Sequence, residues 1–436
     1  MRICVHGVGY VGLASAALFA NDGHDVVGYD PDEETIERLR RGEPRTTEPA
    51  FAAFVEAALD AGLDPSHEPV PADCHVICVP TPYDAAAGAA DLSYVEAAAG
   101  TVRDLLRPGD HVVVESTVPP RTTRDVVAPA LAESGLVPGE DVSLAYCPET
   151  ILPGNIAHEL VHNDRIVGGI DDESADRTLE LFDSCTEGAI HRAPDAATAE
   201  FAKLAQNAHR DVNVAFANEV ARLARDYGVD SREAIALANV HPRVDVLSPG
   251  PGVGGHCLPV DPLFLGQNSD ELDLLATARR VNDGMVGFVL ELLEAALDGP
   301  DGLDGARVAL LGVAYKGDVE DTRHSPGLRI ADALSSPDGD RHAPRAMTAD
   351  GGPGRTIEGS VDVRLHDPHV EDDRLVPLET ALDGADAVVV ATGHSEYGDL
   401  DPGSVADAVD GRVVLDCPNV LDGDAWRGAG FEYVRI

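Results

Sequence analysis

Lysine is almost missing from this chain of 436 residues: only Lys203 and Lys316 occur, and arginine supplies the other thirty basic residues. A sequence that avoids the ammonium group so thoroughly is expected to keep it where chemistry needs a compact, tunable cation. Basic charge is scarce altogether, with 32 Lys and Arg against 77 Asp and Glu and a formal net charge of −45. Nucleic acid and anionic membrane surfaces require the opposite sign over a broad face, so neither is expected as a partner. The excess acid reads as a solvated coat of the halophilic kind. Long apolar runs are also lacking: apolar residues make up 44%, but no uninterrupted stretch reaches membrane-spanning length. The seven cysteines (4, 74, 78, 147, 185, 257 and 417) are odd in number and show no CxxC spacing. That argues against a disulfide framework, and no metal site is expected. The first residues run straight into a strand and a glycine motif, not a secretory signal. A cytoplasmic location is the default expectation.

What is present is an alternation of short apolar runs and helical stretches. Residues 3–7, 26–30, 75–80, 112–117 and 142–147 read as strands, which predicts a parallel sheet covered by helices. From residue 196 the pattern turns helical, without internal Gly or Pro until Gly228, and a second helix is predicted over about 271–297. Strand-like runs return at 307–315, 361–367, 386–393, 412–417 and 433–436. The expected fold is α/β: two Rossmann-like doubly wound domains, 1–195 and 299–436, joined by a long central helical region, 196–298. Residues 335–360, rich in Gly, Pro and charge, read as a flexible surface insertion.

Gly7, Gly9 and Gly12 form a GxGxxG motif with Tyr10 and Val11, between a strand and a helix. Glycines there allow a tight turn and let the backbone approach a pyrophosphate at the helix N-terminus. Asp30 ends the next strand about twenty residues on, placed for ribose hydroxyls and against a 2′-phosphate, so NAD is expected over NADP. Pro80 and Thr81, and then Thr117, follow later strands, at the sheet edge where such folds bind ligands.

Three stretches carry reactive groups. Glu149 sits in Tyr146-Cys147-Pro148-Glu149, followed by Leu152-Pro153-Gly154-Asn155. Lys203 and Asn207 are four apart and share a helix face. Cys257 lies in a glycine-rich loop that includes Gly254, with Asp261 four residues later. A packed thiol, a solvated lysine and a turn-capping carboxylate are the ordinary alternatives for these residues taken singly. Together with a nicotinamide site they suggest a two-step oxidation of an alcohol to an acid through a thioester, with lysine stabilising the oxyanion. Gly312-Val313-Ala314-Tyr315-Lys316-Gly317-Asp318 also follows a strand but lacks the three-glycine spacing of the first motif, so Lys316 and Arg323 read as an anion site for a different ligand, suited to a diphosphate.

These residues resemble the UDP-glucose/GDP-mannose dehydrogenases over essentially the whole chain apart from 335–360. The resemblance implies an N-terminal NAD-binding domain, a central helical dimerisation region and a C-terminal UDP-binding domain, hence a homodimer acting on a UDP-sugar. It implies Cys257 as thioester nucleophile, Lys203 and Asn207 as the oxyanion pair, and Asp261, Glu149 and Thr117 as residues that position water or relay protons. Lys316 and Arg323 fall on its nucleotide-sugar motif. The segments at 147–169, 210–219 and 241–262 are similar to the UDP-N-acetylmannosamine dehydrogenase subfamily. There Arg243 matches an arginine that reaches substrate across the dimer interface, with His241 and Arg210 as further contacts. Thr150 stands where that subfamily carries arginine, which leaves UDP-glucose and UDP-N-acetylglucosamine as alternative substrates. A single-oxidation β-hydroxyacid-type dehydrogenase or a non-catalytic dinucleotide-binding regulator would have no need of Cys257.

Overall fold

The computed structural model describes residues 1–46, 48–151, 154–297, 302–335 and 361–436. The expected insertion at 335–360 lies outside them apart from Ser335, as do Leu152 and Pro153. The chain divides into two compact units, Met1–Gln206 with Leu263–Asp270, and Asn207–Pro262 with Glu271–Ile436.

The first unit is built on an eight-stranded sheet. In chain order its strands are β1 (Arg2–His6), β2 (Asp25–Tyr29), β3 (Asp64–Ser66) and β4 (Cys74–Ile77). A separate hairpin of β5 (Tyr83–Asp84) and β6 (Ala89–Ala90) precedes β7 (His111–Val114), β8 (Ser143–Tyr146), β9 (Arg165–Gly169) and β10 (Ile190–Arg192). The sheet order is β10-β9-β8-β7-β4-β1-β2-β3. All five strands expected in this half form. The sheet is not wholly parallel, however: β9 runs antiparallel to β8, with Ala145 opposite Gly169 and Tyr146 opposite Gly168. Such mixed margins are common on otherwise parallel sheets. β9 escaped notice because RIVGG is short and ends in glycines, which weaken strand propensity. Those glycines are required, since a Cβ on Gly168 or Gly169 would run into the Asp195 or Asp171 carbonyl.

The chain leaves β1 for β2 on one side and later fills β4 on the other. The loops after β1 and β4 therefore flank the point where strand order reverses, and ligands of doubly wound sheets sit there. Helix Tyr10–Asn21 follows β1. Its middle, from Gly12 to Ala20, is wholly buried, as expected of a helix apolar all round.

The second unit carries β11 (Arg307–Leu311), β12 (Asp362–His366), β13 (Ala387–Val390), β14 (Val413–Asp416) and β15 (Glu432–Arg435), in order β12-β11-β13-β14-β15. Every pairing is parallel, and all five expected strands are present. Its first turn repeats that of the first unit. Gly312 has φ +96° and Gly7 has φ +93°. A Cβ on Gly327 would collide with the Gly312 carbonyl, as one on Gly12 would with Gly7. Asp367 accepts the Val313 and Ala314 amides at 2.7 and 3.0 Å, where Asp30 accepts that of Val8 at 3.0 Å. The missing glycine of the second motif is thus Gly327, in helix Pro326–Ser335, displaced by the loop 317–325.

Helix Ala196–Asp226 starts in the first unit and ends in the second, and Gly228 closes it with φ +64°. Helix Asp273–Ala296 buries one face, including Met285, Val289 and Leu293, in the core of this unit, against helix Pro326–Ser335 and strands β14 and β15.

Candidate active site

The cofactor loop fits a dinucleotide residue by residue. A side chain on Gly7 would strike the Cys78 carbonyl, whereas one on Gly9 would meet nothing within 4 Å. Gly7 and Gly12 therefore serve the tight turn, and Gly9 leaves open space in front of the helix. Gly9 caps that helix without a side-chain bond, and its first turn carries no acid, so Tyr10, Val11 and Gly12 present backbone N–H groups suited to a pyrophosphate. Asp30 follows β2 and accepts the Val8 and Asp32 amides, both at 3.0 Å. Those two bonds fix its carboxylate just past the end of β2. Pro80 is exposed and Thr81 buried. The Thr81 hydroxyl donates to the Thr117 carbonyl at 2.7 Å, and the Ser116 hydroxyl joins the Val79 backbone at 2.8 and 2.9 Å. Two loops from adjacent strands are thereby fixed as one rim.

The same unit holds Lys203, 9% exposed, whose ammonium donates to the Glu149 carbonyl at 2.7 Å. The Glu149 carboxylate turns away, taking the Ile151 amide on one oxygen and lying 3.6 Å from the Arg165 guanidinium on the other. Burial raises the Glu149 pKa, opposed by Arg165. Arg165 is 2% exposed, donates to the Leu160 carbonyl at 3.1 Å and stands 4.7 Å over the Phe182 ring. Its signal in the sequence is an arginine at the head of the short apolar run that forms β9.

In the second unit Asn207 donates to the Asp261 carboxylate at 2.6 Å, both buried. The Cys257 carbonyl accepts the Val260 and Asp261 amides at 3.0 and 2.8 Å. The thiol and this carboxylate are thus held on one turn. All seven cysteines are described, and Cys257 is the single exposed one. Burial drives the others the wrong way for a nucleophile, pushing the Cys185 thiol up to about 12 and raising those of Cys4, Cys74, Cys78, Cys147 and Cys417.

Gly254 and Gly255 lie so close to Tyr315 that a Cβ would come within 2.8 and 2.9 Å of its side chain. Burial pushes the Tyr315 hydroxyl up to about 12, helped by Asp321 and Cys257 and opposed by Arg323 and Arg210. Arg323 meets Asp321 through Nε at 3.0 Å and Nη2 at 2.6 Å, yet its side chain stays 61% exposed. His256 is lowered by burial and then by Arg323. Lys316, Arg210, His241 and Arg243 are exposed. The His241 Nδ1 accepts the Arg243 amide at 3.3 Å within one turn.

Among the described residues, two groups of metal-capable side chains assemble that spacing did not reveal. Cys4, His6 and His75 are buried together, but His6 Nε2 and His75 Nδ1 bond each other at 3.0 Å. Asp318, His369, His394 and Glu396 converge after β11, β12 and β13. There both His394 nitrogens are occupied, at 3.0 Å each, by the Asp318 amide and the Asp367 carboxylate.

The sequence matches three domains of the UDP-glucose/GDP-mannose dehydrogenase family: the NAD binding domain over residues 1–186, the central domain over 197–284 and the UDP binding domain over 355–423. It is 37% identical over 439 residues to a UDP-N-acetyl-D-mannosamine dehydrogenase of Methanocaldococcus jannaschii, covering 99% of this chain and 95% of the other. The structure of a UDP-D-ManNAc dehydrogenase from Pyrococcus horikoshii superposes with TM-score 0.89 at 38% identity, covering 100% of this chain and 99% of the other. A UDP-N-acetyl-mannosamine dehydrogenase from Staphylococcus aureus gives 0.84 at 33%, covering 100% and 98%. With its dinucleotide loop, its buried lysine and its exposed thiol, the chain belongs to the UDP-glucose/GDP-mannose dehydrogenase family, and is an NAD-dependent UDP-sugar oxidoreductase.

Proposed function

We propose that this enzyme oxidises the C6 alcohol of UDP-N-acetyl-D-mannosamine to the carboxylate, through a thioester on Cys257. The observation that carries the proposal is the exposure of Cys257 alone among seven cysteines, in a loop where Gly254 and Gly255 pack on Tyr315 and whose next turn presents Asp261. Two NAD molecules bound in turn at the glycine loop would accept one hydride each, the first as the alcohol becomes the aldehyde and the second as the thiohemiacetal on Cys257 becomes the thioester. The Cys257 thiolate forms a C–S bond to the C6 aldehyde carbon. Lys203 and Asn207 offer N–H donors to the oxygen that becomes negative, the kind of preorganised stabilisation that contributes most to acyl chemistry. Water then cleaves the C–S bond of the thioester, leaving the uronic acid and a thiol proton. Asp261, Glu149 and Thr117 are the groups assigned to position that water and move protons. Since the Glu149 carboxylate is committed to Arg165 and the Ile151 amide, its part is played through its carbonyl and Lys203.

Lys316 and Arg323 are assigned to the UDP moiety, and Arg210 and the Gly254 backbone to further substrate contacts, the Cβ side of Gly254 being filled by Tyr315. His241 and Arg243 are assigned to substrate held across a homodimer. Phe216 and Leu223, 55% and 50% exposed seven residues apart on the long helix, and Tyr227, 82% exposed in the turn after it, support a dimer. In domain terms the proposal divides the chain into NAD-binding (1–195), dimerising (196–298) and UDP-binding (299–436) parts. Thr150, in the place of the subfamily arginine, favours a second reading in which UDP-glucose or UDP-N-acetylglucosamine is the substrate. A panel of the three UDP-sugars at high salt decides: the highest kcat/KM is expected for UDP-N-acetylmannosamine, and preference for another sugar overturns the substrate assignment.

A further inference from the structure

Residues 241–260 form neither helix nor strand, yet this segment delivers Cys257. Asparagine side chains supply the backbone partners a strand would have given. Asn239 takes both groups of Val246, donating at 2.9 Å and accepting at 2.8 Å. Asn213, on the long helix, donates to the Asp245 carbonyl at 2.8 Å and accepts the Leu247 amide at 3.3 Å. Asn218, on the same helix, accepts the Gly250 amide at 2.9 Å. A primary amide offers one donating and one accepting side, so it can replace a peptide neighbour.

Asn218 has a second link that the others lack. Its Nδ2 donates to Asn282 Oδ1 at 2.9 Å. Asn282 Nδ2 donates to the Asp211 carboxylate at 2.8 Å and its carbonyl at 3.1 Å. Arg279 donates to the same carboxylate at 2.6 Å. Asn218 and Asn282 are fully buried and Asp211 is 1% exposed. Every direction in this run is fixed, because guanidinium only donates and carboxylate only accepts. Each amide is left with one orientation, and Asn218 must turn its oxygen to Gly250. Further along the loop, a Cβ on Gly252 would stand 3.2 Å from the Asn282 carbonyl, and the Gly255 amide donates to the Arg323 carbonyl at 2.8 Å.

We infer that Asn218 is a positioning residue for the Cys257 thiol, oriented through Asn282 and Asp211. The inference rests on the reading of Cys257 as the nucleophile. The run starts at Asp211, one turn from Asn207 on the long helix, and ends on the glycine loop ahead of Cys257. It sets where the thiol stands relative to the helix that presents Asn207. Displacing a reacting group by about 1 Å costs ~10²-fold in rate, so a bond this remote can govern turnover.

Asn218→Asp keeps size and the acceptor for Gly250 but sets a carboxylate oxygen against Asn282 Oδ1. Flipping Asn282 to relieve that contact forfeits its bonds to Asp211. The expected result is a fall of about 10² in kcat, unchanged KM for NAD, and a shifted pH profile for alkylation of Cys257 by iodoacetamide. The double variant Asn218→Asp, Asp211→Asn reverses the donors along the run and is expected to recover kcat to within about tenfold of wild type. Should Asn218→Asp fail to fold, Asn218→Ser removes the link to Asn282 and is read by the same measurements. A variant with a lower melting temperature but wild-type kcat and alkylation profile overturns the inference. If alkylating Cys257 in the wild-type enzyme leaves turnover intact, the nucleophile reading itself falls and takes this role with it.

Discussion

Lys203 places its ammonium 2.7 Å from the Glu149 carbonyl, while the Glu149 carboxylate faces Arg165. One residue thus orients the lysine with its backbone and anchors itself with its side chain. Lys203→Met should lower kcat by about 10²–10³ through loss of an oxyanion donor, with little change in KM for NAD. Lys203→Arg should not rescue it, because a planar fork cannot replace a compact ammonium at a site 9% exposed. Steady-state rates on both variants check this, and an active arginine variant would contradict it.

Removing Arg165 should destabilise the first unit more than it alters binding. Arg165→Met leaves the Glu149 carboxylate buried without its cation, a loss of roughly 3–5 kcal/mol. Pairing it with Glu149→Gln should restore most of that, since the charge needing a partner is then gone. Urea unfolding of the two single variants and the double variant measures the coupling. Strict additivity would contradict the pairing.

Burial also writes two opposite pH dependences into the first unit. His111 is lowered to about 3 by burial and then by Arg177, so it stays neutral in the fold where the unfolded imidazole, near ~6.5, takes a proton. Its contribution to stability is present above ~6.5 and is lost as pH falls towards 3, by about 1.4 kcal/mol per pH unit. Relative to wild type, His111→Gln should gain stability with that slope as the solution is acidified. Burial raises Glu115 to about 7, so the fold keeps a proton that the unfolded chain gives up above ~4.5. Its contribution is present below ~4.5 and lost as pH rises to 7. Glu115→Gln should therefore gain relative to wild type in the alkaline direction. Unfolding free energies across pH 3–8 at fixed salt decide both signs.

The −45 charge should make folding depend on salt. At about 0.1 M salt charges repel over a Debye length of ~10 Å, which shrinks to ~3 Å at 1 M. The chain is expected to lose helical circular dichroism on dialysis to low salt and regain it in molar salt. Salt-independent signal would remove the halophilic reading of the coat.

The sequence disclosed what depends on local pattern. All ten expected strands form, because buried parallel strands are continuous apolar runs with sharp ends, and the first glycine motif could be assigned because Gly7, Gly9 and Gly12 are close in sequence. The second motif does not show that spacing in sequence, since Gly327 is separated from Gly312 by a loop whose course no local pattern records. The antiparallel β9 and buried Arg165 were missed for a related reason. Only the folded pairing shows what a short glycine-ended strand lies beside. Lys203 and Asn207 were legible from helical spacing and the rarity of lysine. The Asn218–Asn282 bond was not, because it joins residues on two helices and depends on which amide faces which.

The most direct test counts NADH formed per UDP-N-acetylmannosamine consumed, with limiting sugar and excess NAD. The thioester route predicts two NADH per sugar and a product bearing a carboxylate at C6, with Cys257→Ala unable to complete the second oxidation. One NADH per sugar, or acid formed at the normal rate by Cys257→Ala, would contradict it.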